Sequence, residues 1–124
     1  MSNKKSNTEQ QERLAQALDF SNTMKTFNLS KNNLKVKTQN LLSYSTAGGS
    51  FIVDQSLISF VHFVVTSGKT EIKILDKNSI PIHIEDTVKF LEEISSLYFE
   101  VTNDYYNEYQ KLRSSRKIEK VLEI

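Results

Sequence analysis

Four places in this chain carry residue types able to do chemistry: His62 and His83, the adjacent Glu92 and Glu93, the stretch Thr46-Ala47-Gly48-Gly49-Ser50, and a tyrosine run, Asn103 to Lys117, that ends in basic residues. Neither histidine stands in the His-Glu-x-x-His spacing that puts two zinc ligands on one helical face. The glycine pair is not followed by Lys-Ser/Thr, so it is no phosphate loop, and no serine lies in a Gly-x-Ser-x-Gly elbow. Consecutive residues on a helix point in different directions, so Glu92 and Glu93 do not converge as an acid/base pair. The sequence contains no cysteine, which removes disulfides and thiolate metal ligands. These patterns predict a non-enzyme with no catalytic residues, cofactor or metal.

The tyrosine run admits two readings. Stacking tyrosines followed by Lys111, Arg113, Arg116, Lys117 and Lys120 would suit nucleic acid if aromatics and cations shared one exposed track. Glu100, Asp104 and Glu108 interleave with the tyrosines, however, and Glu119 and Glu123 with the basic run, and carboxylates in that track repel phosphate. The alternative is a packed stripe. Leu91, Tyr98, Tyr105 and Leu112 recur every seven residues, with Ile94 and Val101 three residues on, as in a helical seam or an oligomer contact. Glu108 and Ser115 at companion positions make the seam imperfect, Phe90, Leu97 and Phe99 widen it, and Tyr106 and Tyr109 lie off it. The basic residues also suit the negative end of a helix dipole. The packed stripe is the favoured reading, and nucleic acid is not an expected partner.

The elements that must position these residues follow from the local pattern. A chain of 124 residues is one small domain, and its formal charge of +1 gives no whole-molecule field for nucleic acid or membrane. Charge is unevenly spread: residues 1–53 hold seven Lys/Arg against three Asp/Glu, and residues 85–124 six against nine, a polarity that favours head-to-tail contact between copies. No apolar run approaches the roughly 20 residues of a membrane span, and the N-terminal residues lack the apolar segment of a secretory signal.

The expected fold class is α+β: an apolar helix, a β-hairpin and one long C-terminal helix, preceded by an extended flexible N-terminal arm with a short amphipathic helix. The arm is residues 1–53. Thr8 and Gln11 form a capping box for a helix over about 9–27, and Leu34-Lys-Val36-Lys and the residues to 53 read as extended pieces. Gly48-Gly49 reads as a flexible joint, in an arm that either adds a strand to a neighbour or wraps its own domain. The module is residues 54–124. Asp54 caps a helix over 55–66, buried on most sides and closed by Gly68. Ile72 and Ile74 pair with Ile80, Ile82 and Ile84 in a hairpin whose Pro81 belongs at an edge. From Asp86, about 86–121 runs as one helix on the order of 50 Å long.

The order helix, glycine, hairpin and tyrosine-rich helix, from Val53 to Lys117, with the Ile74-Leu-Asp76-Lys-Asn-Ser-Ile80 turn, resembles small virion-associated structural proteins of tailed bacteriophages. The resemblance implies a structural subunit of the virion, assembled in the host cytoplasm: an accessory capsid, head-fibre or tail-associated protein in many copies. Its partner would be a larger capsid or tail protein, contacted by arm residues Lys4, Lys5, Leu14, Leu18, Met24 and Phe27. The alternatives are a small intracellular nucleic-acid-binding or transcription-modifying factor, and an assembly chaperone absent from the mature particle.

Overall fold

The computed structural model describes the backbone of Ser2–Leu122 and the side chains of residues 7–115. The fold is α+β, with three helices and two separate two-stranded antiparallel sheets. In chain order they are α1 (Ser2–Leu41), β1 (Ser43–Thr46), β2 (Gly49–Ile52), α2 (Gln55–Thr66), β3 (Ile72–Leu75), β4 (Pro81–Ile84) and α3 (Thr87–Leu122). Backbone contacts divide the chain into two units, Lys35–Glu108, and Met1–Leu34 with Tyr109–Ile124.

The Lys35–Glu108 unit holds the hydrophobic core. Phe51, Val53, Val61, Ile82, Ile84, Phe90 and Ile94 form one buried cluster, with Phe51 edge-on to Phe90 at 5.3 Å between ring centroids. The sequence-derived boundary at residue 53 therefore runs beside two core residues, Phe51 and Val53, which β2 and its exit supply.

The local signals of the second half produce the elements they predict. Asp54 Oδ1 accepts from the Leu57 amide at 2.8 Å and starts α2. At its other end Gly68 has φ +81°, and the Gly68 and Lys69 amides donate to Val65 and Val64 carbonyls, the paired bonds of a Schellman stop. Asp86 Oδ1 accepts from the Lys89 amide at 3.1 Å and caps α3. Strand β3 pairs with β4, Ile72 opposite Ile84 and Leu75 opposite Pro81. Because each sheet has two strands, every strand is an edge, and Pro81 lacks an amide at no cost to an interior ladder.

The first half departs from expectation. Helix α1 does not stop near residue 27 but runs to Leu41, through Leu34-Lys-Val36-Lys, and Thr8 lies inside it instead of capping it. The short alternation is outweighed by a longer period: Phe27, Leu34, Thr38 and Leu42 are half-buried at spacings of seven and four, whereas Val36 is exposed. A helix also satisfies its own backbone, while a strand here would need an edge to pair with. Extended structure begins at Ser43, and the glycine pair is no flexible joint: Ala47-Gly48 is a tight hairpin connection and Gly49 is the first residue of β2. Ala47 (φ 51°) and Gly48 (φ 84°) both occupy the left-handed region, as a two-residue type I′ turn requires, and Thr46 faces Gly49 in register. Gly49 itself is buried; a Cβ there would lie 2.5 Å from Ile82 Cγ1, so its absent side chain is what lets β2 approach β4.

Helix α2 is also one-sided. Only Val61 and Val64 are buried, and Leu57, Ile58 and Val65 half-buried, while Phe60 and Phe63 face solvent. On α3, Phe90 is buried and Leu97 half-buried, but Phe99 is 67% exposed and does not widen the stripe.

One buried carboxylate ties the two hairpins together. Asp76 Oδ1 accepts from the Asn78 and Ile80 amides at 2.9 and 3.0 Å, closing the β3–β4 turn, and Oδ2 accepts from the Ser50 amide of β2 at 3.1 Å. The Lys77 amide returns a bond to the Ser50 carbonyl at 2.9 Å. Thr87, fully buried, secures the start of α3 by donating to the Lys69 carbonyl at 2.7 Å.

Candidate functional site

A depression of about 660 Å³ in the Lys35–Glu108 unit lies beside Tyr44, His83, Glu85, Asp86, Lys89 and Glu93. Tyr44, His83, Asp86, Lys89 and Glu93 are already engaged in structure. Tyr44 donates its hydroxyl to Glu93, which, together with burial, pushes the phenol's pKa above its ordinary value. The phenol is thus held protonated, a poor base or nucleophile at neutral pH. Glu93 also approaches Lys89 at 4.0 Å, one turn away on α3. Asp86 caps α3, and His83 Nε2 meets Glu71 at 3.2 Å. Among the described residues no three potential metal ligands converge. What this arrangement does chemically is tie β1 to α3 through the Tyr44–Glu93 bond.

The other features are surfaces. On α3 the seven-residue pattern selects the inward face: Ile94 and Val101 are buried, and Leu91, Tyr98, Tyr105 and Leu112 are half-buried. Tyr98 accepts a hydrogen bond from Gln55 Nε2 at 3.0 Å, joining α3 to the start of α2. Tyr106, one residue off that face, is 62% exposed. Tyr109 is half-buried, with Lys31 Nζ of α1 5.9 Å from its ring centroid, a cation–π distance. Lys111 and Arg113 are exposed; the side chains of Arg116, Lys117 and Lys120 lie outside the described residues. The tyrosines of the run therefore do not share one exposed track.

On α1, Leu14 and Leu18 are 62% and 55% exposed and share a face at i, i+4, while Met24 and Phe27 are half-buried. The side chains of Lys4 and Lys5 lie outside the described residues. Sequence reasoning did not single out Phe60, Phe63 and Phe99 as surface aromatics, nor Tyr44 and Asp76 as anchors. The Asp-Lys-Asn-Ser turn signal pointed at Asp76 locally, but nothing in the sequence indicates its third bond, to Ser50.

The seam makes an ordered prediction. Tyr98→Ala and Tyr105→Ala each lower stability by about 2–3 kcal/mol, as partly buried large-to-small changes do, whereas Tyr106→Ala changes it by less than about 0.5 kcal/mol. Thermal melts of the three variants check this; equal melting temperatures would refute the packed stripe.

Compared with known protein families, curated proteins and solved structures, the chain matches none of them.

Proposed function

We propose that this chain is a non-enzymatic structural subunit of a tailed-phage virion, an accessory head or tail-associated protein that docks through α1 onto a larger capsid or tail protein. The observation that carries the docking element is the state of α1: from residue 7 to residue 22 every side chain is exposed, including Leu14, Leu18 and Phe20. A helix in a protein draws most of its stability from packing an apolar face, so a helix segment this exposed within its own chain is one whose face a partner covers. The engagement of Tyr44, His83, Asp86 and Glu93 in structural bonds supports the non-enzymatic part of the reading. The virion itself comes from the resemblance over Val53 to Lys117.

Removing residues 1–30 is the direct test. The Lys35–Glu108 unit keeps its whole core, so the truncated protein retains a cooperative thermal transition, while its recovery with purified virions drops to background. Truncated protein that still co-purifies with particles would show that α1 is not the docking element. Absence of the intact polypeptide from virions by mass spectrometry would remove the structural role and favour an assembly chaperone.

A further inference from the structure

Two exposed aromatic surfaces of the Lys35–Glu108 unit have opposite charge. The first is a recess of about 330 Å³ between α2 and β3, walled by Phe60, Phe63 and Ile72 and flanked by Lys69 and Lys73. Phe60 and Phe63 are 49% and 66% exposed. The one carboxylate at this rim, Glu71, is turned to His83 at 3.2 Å, and neither lysine has an ion-pair partner among the described residues. The recess is therefore apolar at its centre and cationic at its edge.

The second surface is the outward face of α3. Val88, Glu92, Phe99 and Tyr106 follow one another at helical spacing and are all exposed, and Glu100, also exposed, lies about 100° around the helix from Phe99, at the edge of this face. Glu92 and Glu100 pair with no cation among the described residues, whereas the neighbouring Glu93 and Glu108 are already matched to Lys89 and Lys37. This face is aromatic and anionic.

We infer that the α2–β3 recess receives the Phe99 face of α3 from a second copy of this chain, with Lys69 and Lys73 set against Glu92 and Glu100. Charge complementarity selects this occupant. A nucleic acid would be attracted to the two lysines, but the second surface is anionic and repels it, whereas a copy of the chain accounts for both surfaces at once. Buried aromatics flanked by charge are also the residue types that dominate protein interfaces. Because the two patches differ, the contact is head-to-tail: it uses the recess of one copy and the helix face of the other, leaving one helix face and one recess at the two ends of the pair for further copies, giving a ring or an open chain. The contact uses none of the exposed side chains of α1 and stands independently of the docking reading above.

Sedimentation velocity of the full-length chain in low salt tests the proposal. Wild type sediments as concentration-dependent species larger than a monomer, shifting towards monomer as salt is added and exposed charges are screened. Lys69→Glu/Lys73→Glu and Glu92→Lys/Glu100→Lys each set like charges across the contact and weaken association by about tenfold or more. Mixing these two double variants restores assembly, because each supplies the charge that the other lacks. Phe63→Ser, at a position exposed in the free chain, weakens association about tenfold or more without changing the melting temperature. A wild-type chain that stays monomeric at every concentration, double variants that assemble like wild type, or a mixture that stays monomeric would each overturn the inference. Restoration in the mixture also shows that neither double variant has simply lost its fold.

Discussion

Phe90→Ala destabilises the protein by about 3–5 kcal/mol, the cost of deleting a buried aromatic ring and leaving a cavity that its neighbours cannot close. Phe90 is only 3% exposed, meets Phe51 of β2 edge-on, and lies 6.3 Å from the Tyr44 ring of β1 at a tilt of 46°. Its ring therefore fills space shared by α3 and both strands of the first hairpin. A small domain has only about 5–15 kcal/mol in total, so the variant loses a large part of its margin. Urea denaturation followed by circular dichroism reads this as a lower midpoint with an unchanged slope. The companion variant Val88→Ala, two residues away and half exposed, stays within about 0.5 kcal/mol of wild type. A Phe90→Ala loss under about 1 kcal/mol would show that the aromatic cluster is not the centre of the core.

The second large effect is at Asp76. Asp76→Ala removes the acceptor for the Ser50, Asn78 and Ile80 amides together, opening the β3–β4 turn and cutting a tie between the two hairpins. Its melting temperature at neutral pH falls well below wild type, and Asp76→Asn, which keeps one acceptor oxygen, falls less. The effect depends on pH. The Ile80 amide and then the Ser50 amide, with lesser help from the Asn78 amide and the Lys77 charge, hold the Asp76 carboxyl below the ordinary carboxylate range, against an opposing push from burial. A carboxylate whose folded pKa is lowered binds its proton more readily in the unfolded chain. Its stabilisation is thus fully present above the ordinary value of about 4 and disappears as pH falls through the lowered one. The difference in stability between wild type and Asp76→Asn accordingly narrows in acid. A difference that stayed constant from neutral pH to well below about 3 would mean that the ionised form is not what the amides hold.

How much of this was legible in the sequence depends on the range of the forces involved. Asp54 and Asp86 cap helices through amides three residues away, Gly68 ends α2 through bonds within one turn, and Asp76 closes its own turn within four residues. Such bonds are local, so α2, the β3–β4 hairpin and α3 could be read from residue type and spacing. The seven-residue seam of α3 was likewise visible, since the periodicity that defines a helical face lies within the helix.

Of residues 28–53, the extended reading is right for Ser43–Thr46 and Gly49–Ile52 and wrong for the stretch up to Leu41, which is helix. Leu34-Lys-Val36-Lys alternates like a strand, but a helix satisfies its own backbone without a partner, and α1 continued to Leu41. Gly48-Gly49 looks like a joint in isolation; Gly49 became a buried contact only once Ile82, more than thirty residues on, was packed against it. Phe60, Phe63 and Phe99 are as apolar as the core residues beside them, and their sequence marks them as interior. Tertiary structure alone decided that they face outward, because burial depends on which surface arrives opposite a side chain, and a helix of mostly apolar residues packed on one side must leave the rest of its apolar area in water.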